Sequence, residues 1–404
     1  MLKKLRLHNF RTYLNTELSF NQRHLVIGQN NSGKTNLFSA LRFLGATATN
    51  DLAKSSVAIP GGAWEITNWA LKTNTFELAC ECELPFDGQV HQFTYDLGIA
   101  VEPPGGPITD GGQQLVLHVI NEQLSVRSET FGPVVLLSND GREANMLHEE
   151  DLSRRKQEKR PKTLAPRDAT MLSKLYELET NRRAILFRKY LSAWYFFNFN
   201  PHEMRFGWSN PGVPMGGLVS NGSNLALAIH QVKNNDERRY RRMIDHVQSV
   251  EPDLEAINFN ISGGQVPIPF ISLKRRAQAS WIGLSDGTLR CLALAFIAEI
   301  VRPSEDVHAP SYSPLIFIEE LENGIFPGHL RHVFDMFDDA GPAAQFIISS
   351  HSPYFINFFD SQRESVTVLR RNNERTEIVP IPPPDESDPD RILLAEQYSA
   401  ELLK

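Results

Sequence analysis

The residues best suited to chemistry lie in one stretch, Leu25-Val26-Ile27-Gly28-Gln29-Asn30-Asn31-Ser32-Gly33-Lys34-Thr35. Two glycines bracket a short polar loop, and a lysine and a threonine close it. This spacing cradles the phosphates of a nucleotide. The glycines let the backbone turn tightly and bring its N–H groups close to the phosphate oxygens. The Lys34 ammonium reaches the β- and γ-phosphates, and the Thr35 hydroxyl holds Mg²⁺. Gly28, Asn30, Asn31, Ser32, Gly33, Lys34, Thr35 and Asn36 are therefore the candidate phosphate-binding residues. A chance match in a turn is the alternative, and the flanks argue against it. Leu25 to Ile27 read as the end of a buried strand. Leu37, Leu41 and Leu44 share one helical face, so a helix starts near Lys34 and adds its free N–H groups and positive dipole end.

Three further groups fit the same chemistry. Leu284-Ser285-Asp286-Gly287-Thr288-Leu289-Arg290 precedes an apolar run to Val301, which predicts a helix buried all round. Ser285 sits at the N-cap position, and Gly287 lets a ligand approach the backbone, giving a second anion site at a helix start; an ordinary capped helix is the alternative. Leu315-Ile316-Phe317-Ile318 is apolar without alternation, as in a strand of a parallel sheet buried on both faces. Glu319 and Glu320 follow at the end where ligands bind in open α/β sheets. Adjacent strand residues point opposite ways, so unless the strand has ended the two carboxylates cannot do the same job, and Glu319 is assigned to the magnesium shell and Glu320 to the attacking water. A solvated acidic loop is the weaker alternative. Gln345-Phe346-Ile347-Ile348-Ser349-Ser350-His351-Ser352-Pro353 is another buried strand, with His351 at its end as a candidate γ-phosphate contact.

The remaining chain must position these groups. Alternation at Leu5 and Leu7 predicts a short half-buried strand, and that at Phe76 to Leu84, in parts of 90–100 and at Leu115 to Ile120 predicts an antiparallel β layer. Residues 45–75 are small, polar and Gly-rich and read as loop. Residues 150–192 are rich in Arg and Lys, and Leu172, Leu175, Tyr176, Leu178, Ile185, Leu186 and Tyr190 are spaced like helix faces, which predicts a basic helical insertion. Ala193 to Phe199 is an aromatic run, read as core strand rather than a stacking platform. Asn221-Gly222-Ser223-Asn224-Leu225 caps a helix to about Val232, and a basic helix follows from Asp236 to Val250. A helix at 328–340, a late hairpin (Val366 to Leu369, Ile378 to Ile381) and a short helix from Asp390 to Leu403 complete the chain. The expected organisation is α/β: residues 1–138 with the phosphate loop and β layer, 139–215 as the helical basic insertion, and 216–404 with the other three groups.

The chain has 404 residues, 41% hydrophobic and 22% charged, an ordinary globular balance too long for one core. Net charge is -7 and pI about 6.0, so nucleic acid could be held only by a local basic patch. Residues 154–167 offer one: Arg154, Arg155, Lys156, Lys159, Arg160, Lys162 and Arg167 against Glu158 alone. Arg238, Arg239, Arg241 and Arg242 form a second group. A solvated helix face is the bland reading; an anionic partner, nucleic-acid backbone or the acidic face of an effector, is the sharper one. Cys80, Cys82 and Cys291 are too few for a disulfide framework and read as packing. No apolar run approaches a membrane span, and the basic start lacks an apolar signal core, so a cytoplasmic, non-membrane protein is expected.

Taken in order, the phosphate loop, Leu-Ser-Asp-Gly-Thr, apolar-Glu-Glu and Ser-His-Ser-Pro resemble the ABC-type ATPase heads of the RecF, SMC and OLD-like group, and most of all the RecF-like or OLD-like bacterial AAA proteins. The resemblance covers about residues 1–45 and 216–360. Asn9-Phe10-Arg11 is similar to the opening of those heads, where an arginine reaches the nucleotide, which adds Arg11 to the candidates. Asn221 to Leu225 and Glu320 to Gly324 also look like that group. Glu319 stands where many relatives have Asp, Leu321 where closer ones often have Pro, and Phe326 where they often have His. The resemblance implies the cofactors ATP and Mg²⁺ and a head-to-tail homodimer with two sandwiched nucleotides. Ser285 of one chain would meet the γ-phosphate held by Lys34 of the other. It also implies an ATP-driven switch controlling a separate effector, such as a nuclease or toxin, in bacterial anti-phage defence. A RecF-like DNA-repair ATPase is the alternative. A fused nuclease is disfavoured because only about 50 residues follow Ser-His-Ser-Pro, short of a typical domain. The RecF-like start disfavours a transporter subunit, and the lack of a long coiled-coil arm excludes a full SMC protein.

Overall fold

Leu25, Val26 and Ile27 are fully buried in a strand that runs straight into the glycine loop, and a thirteen-residue helix leaves the loop at Lys34. The computed structural model describes residues 1–68, 73–102, 115–147, 163–175, 179–209, 217–261, 267–302, 312–339, 341–373, 375–384 and 392–400. In chain order the strands are β1 (Leu2–Phe10), β2 (Tyr13–Ser19), β3 (Arg23–Gly28), β4 (Thr75–Phe86), β5 (Gln89–Glu102), β6 (Val116–Arg127), β7 (Val134–Asn139), β8 (Glu143–Met146), β9 (Thr163–Leu164), β10 (Trp194–Phe197), β11 (Leu254–Asn260), β12 (Ile268–Leu273), β13 (Arg276–Ser280), β14 (Leu315–Ile318), β15 (Gln345–Ser349), β16 (Val366–Asn372) and β17 (Arg375–Val379). The helices are α1 (Lys34–Ala46), α2 (Leu52–Ser56), α3 (Arg182–Ser192), α4 (Pro201–Phe206), α5 (Leu225–Asn235), α6 (Glu237–Gln248), α7 (Asp286–Ile300), α8 (Leu330–Asp339), α9 (Pro353–Asn357) and α10 (Leu394–Ser399).

The chain forms two compact units. The first holds Met1–Trp194, Pro310–Leu315 and Thr367–Ile381; the second holds Tyr195–Ala309, Ile316–Val366 and Pro382–Lys404.

In the first unit, eight strands form one sheet in the order β2-β1-β4-β5-β6-β7-β8-β9, antiparallel throughout. The alternation legible in the sequence sets its register. Leu5 pairs with Cys80 and Leu7 with Leu78, and all four side chains are buried. Strands β3, β16 and β17 lie side by side in the same unit, with β16 and β17 antiparallel, as the late apolar segments predict.

Two stretches depart from the sequence expectation. Residues 45–75 contain α2, capped by the Asp51 carboxylate on the Lys54 N–H at 2.7 Å, and a 3-10 turn at Gly62–Glu65. In 150–192, the described residues hold a two-residue strand, two 3-10 turns and only one α-helix, α3. Leu172 and Leu175 are buried, but as a 3-10 turn, whose three-residue period their spacing fits equally well. The buried Glu122 carboxylate takes the Met171 and Leu172 N–H groups at 2.6 and 3.0 Å and fixes that turn.

In the second unit, β10, β14 and β15 are ordered side by side, and α8 connects β14 to β15, the crossover that parallel neighbours need. Phe196 and Phe317 stack with centroids 4.3 Å apart, so the aromatic run is core strand here. Strands β11, β12 and β13 form a small antiparallel sheet. Helix α7 is buried continuously from Thr288 to Glu299, as its apolar circumference requires. No helix among the described residues is long and apolar enough to cross a membrane.

Candidate nucleotide site

The phosphate loop belongs to the first unit. Asn31 and Gly33 adopt positive φ (67° and 106°), and the loop is packed tightly enough that only glycine fits at two points. A Cβ on Gly28 would lie 2.3 Å from Ser32 Oγ and 2.4 Å from the Leu369 carbonyl; one on Gly33 would lie 2.3 Å from Thr376 Oγ1. Lys34 is buried and its ammonium donates to the Gly28 and Gln29 carbonyls at 2.6 and 3.0 Å, folded back over the loop. Ser32 Oγ is buried with no hydrogen-bond partner, the kind of orphan a phosphate oxygen would satisfy. Thr35 is exposed at the helix start, its hydroxyl open to a ligand. Asn36 instead donates to Thr12 Oγ1 at 3.0 Å. Arg11, at φ 50°, is held by Glu65 at 2.7 Å and by the Pro60 carbonyl at 3.0 Å.

Sequence reasoning missed the residues that brace this loop. Tyr13 is fully buried, and its hydroxyl donates to the Gly33 carbonyl at 3.0 Å. Burial pushes that phenol well above its ordinary range, so it stays a donor. Thr376 donates to the Ser32 carbonyl at 3.0 Å. Tyr13 sits next to the quoted Asn9-Phe10-Arg11 run, which was a usable signal; nothing local marks Thr376.

The second unit gathers the other candidates. Ser285 caps α7, its Oγ accepting the Thr288 N–H at 3.1 Å. Arg205 of α4 holds the same segment through the Leu284 carbonyl at 2.8 Å and the Asp286 carboxylate. Strand β14 ends at Ile318, so alternation does not separate the two glutamates. Glu319 still donates its N–H across to the Phe197 carbonyl at 2.9 Å, whereas Glu320 turns away at φ 51° and donates its N–H to Ser349 Oγ at 3.0 Å. Asn323 Nδ2 donates to the Glu320 carboxylate. His351 follows β15, and its N–H is taken by Glu322, whose other oxygen is buried without a partner.

The loop 320–325 therefore touches both neighbours. Through Ser349 and His351 it meets the end of β15; through Gly324 it meets the start of α7. Arg290 of α7 donates to the Phe199 carbonyl at 2.8 Å; burial lowers its guanidinium, and the charges of Asp286, Glu320 and Glu322 oppose that.

Gly287 carries a structural duty that the sequence did not reveal. A Cβ there would lie 2.6 Å from the Gly324 carbonyl. Gly287→Ala is expected to destabilise the chain by about 1–3 kcal/mol through this overlap. A urea midpoint equal to that of the parent would show that the loop yields freely. Asn224 also differs from expectation. It stands at the start of α5 but does not cap it; its side chain takes the Val219 N–H at 2.9 Å and gives to the Gly217 carbonyl at 2.6 Å.

Of the two basic groups, Arg154, Arg155, Lys156, Lys159, Arg160 and Lys162 lie outside the described residues. The second group is largely neutralised by its own neighbours. Arg239 pairs with Asp236 at 3.3 Å, Arg241 with Glu237 at 2.6 Å and Arg242 with the buried Glu299 at 2.7 Å.

A glycine loop closed by Lys-Thr at a helix start, with an α/β core and an antiparallel layer, defines a P-loop head of the ABC type. Residues 1–190 match the family model described as "AAA ATPase domain", and residues 181–357 the one described as "AAA domain, putative AbiEii toxin, Type IV TA system". No curated protein matches the chain. Among solved structures, the chain is similar to an SMC head bound to the C-winged helix domain of ScpA, at 13% identity, covering 94% of this chain and 97% of that one, with a TM-score of 0.56. Two more SMC heads align at lower scores. One, from Thermotoga maritima, has 12% identity, 94% and 99% coverage and a TM-score of 0.41; the other, from Pyrococcus furiosus, has 14%, 94% and 95%, and 0.45. The fold likeness rests on the first. Both matched models describe ATPase domains and the chain has the fold of an SMC head, which together support an ATP-binding ATPase.

Proposed function

We propose that the chain hydrolyses ATP to ADP and phosphate and acts as a nucleotide-driven dimerising switch. One observation carries this: loop 320–325 bears the candidate base Glu320 and also packs on the start of the Ser285 helix. A second copy's nucleotide arriving at Ser285 would press on the loop that orients water in this copy. Ser285 of one chain meets the γ-phosphate held by Lys34 of the other, giving two equivalent composite sites. Glu320 accepts the water's proton, His351 contacts the γ-phosphate, and Arg11 reaches the nucleotide once released from Glu65. The open Thr35 hydroxyl and the Glu319 carboxylate are hard oxygen donors that suit Mg²⁺, which keeps the rest of its shell for water and phosphate. When bound, Mg²⁺ neutralises charge on the phosphates.

The switch acts on a separate protein. The toxin–antitoxin wording of the model matching 181–357 and the ScpA-bound state of the similar SMC head support an effector partner, such as a nuclease or toxin, in cytoplasmic anti-phage defence. Composite sites make specific ATP turnover rise with protein concentration in the dilute range; a flat profile down to the lowest measurable concentration with a monomeric protein would refute the two-chain site. His351→Ala is expected to lower kcat by at least about tenfold. An unchanged kcat would return His351 to a packing role.

A further inference from the structure

We propose that Thr376, on the C-terminal hairpin, is a positioning residue for the phosphate loop, holding it in its anion-binding shape. The inference rests on the assignment of this loop as the ATP phosphate site.

Thr376 is 344 residues from Ser32 in sequence, yet its hydroxyl lies 3.0 Å from the Ser32 carbonyl and is buried. The hydrogen bonds around it run in one direction. Asn36 Nδ2 can only donate, so Thr12 Oγ1 accepts from it at 3.0 Å. The Ser32 carbonyl can only accept, so the Thr376 proton goes there. The 2.6 Å contact between the two threonine hydroxyls is then donated by Thr12 to Thr376. The relay is Asn36 to Thr12 to Thr376 to Ser32, with every donor and acceptor used in the same sense, an arrangement in which each bond polarises the next. The backbone fastens the same point, because the Thr376 N–H donates to the Thr12 carbonyl at 2.7 Å.

The consequence follows from peptide geometry. In a trans peptide the C=O and the next N–H point in opposite directions. Thr376 fixes the Ser32 carbonyl outward, so the Gly33 N–H is turned to the opposite side. Tyr13 does the same at the Gly33 carbonyl, which also accepts the first helical bond from Leu37 at 3.0 Å, and so aims the Lys34 N–H. Two consecutive N–H groups are thus set toward the loop's anion side before any nucleotide arrives, and successive amides aimed together form an anion-binding nest. The packing is as specific as the bonding, since Thr376 Oγ1 occupies the place a Cβ on Gly33 would take. Without the hydroxyl, the Ser32–Gly33 peptide is free to rotate, and ATP binding must supply the ordering.

The test uses the full chain, with Mg-ATP as probe. Thr376→Val keeps the side-chain shape and deletes the hydroxyl. It is expected to weaken ATP binding by calorimetry about tenfold and to raise KM by a similar factor, with kcat changing less than about threefold. Thr376→Ser restores the hydroxyl and is expected to bind within about twofold of the parent. A merely structural role gives the opposite split, lowering kcat through lost folded protein and leaving KM alone. Should valine disturb the fold, Thr376→Ala at the same position gives the same reading without a second methyl group. ATP affinity and KM equal to the parent's in either hydroxyl-free variant overturn the proposal while leaving the ATP site intact. A parent chain that binds no ATP overturns the site assignment and the proposal together.

Discussion

Lys34→Ala is expected to lose ATP affinity by at least about 100-fold, a change of about 2.7 kcal/mol. Lys34 is the loop's cation, and its ammonium is held over the loop between the Gly28 and Gln29 carbonyls. Its charge-assisted bonds to phosphate are worth roughly twice neutral ones, and the loop amides alone cannot match the charge of a triphosphate. The side chain has already left bulk water, which strengthens the phosphate contact, and the two carbonyl bonds it gives up on turning to the ligand offset only part of that gain. Calorimetric titration with Mg-ATP checks this. An affinity within a few-fold of the parent's would mean that nucleotide binds elsewhere.

Glu320→Gln separates binding from chemistry. The substitution keeps size and shape, and glutamine can still accept the Asn323 amide, so the loop at φ 51° has no reason to move. Only the ability to take a proton from water is lost. ATP affinity should stay within about threefold, while kcat falls about 10²- to 10⁴-fold, the range for removing a general base. Single-turnover phosphate release is the appropriate assay. Turnover like the parent's would remove Glu320 from the role of base, and Glu322, which lies in the same loop, would be the next residue to substitute.

Much of this was legible because the signals are local. Gly28 to Thr35 carries its own strand and helix flanks, and Leu315 to Ile318 and Phe346 to Ile348 are buried strands that the apolar runs announced. The all-apolar circumference of α7 gave its burial directly. What stayed hidden depends on distant parts of the chain. Thr376 became relevant to the phosphate loop only when β17 came alongside β16, itself next to β3. Gly287 read as room for a ligand because nothing near it in sequence shows the Gly324 carbonyl. The helical spacing of Leu172 and Leu175 misled because the buried Glu122, far upstream, captures the local N–H groups and favours a 3-10 turn. The glutamate pair was assigned on strand alternation, but β14 stops one residue before it.

The proposed switch requires ATP to join two copies of this chain. Sedimentation velocity of the Glu320→Gln variant, which is expected to retain bound ATP, with and without Mg-ATP across a concentration series tests this. A species of twice the monomer mass is expected, forming only with ATP and lost on adding Ser285→Arg, whose bulk blocks the helix start from the opposing phosphate. An ATP-saturated variant that sediments as a monomer at every concentration would contradict it.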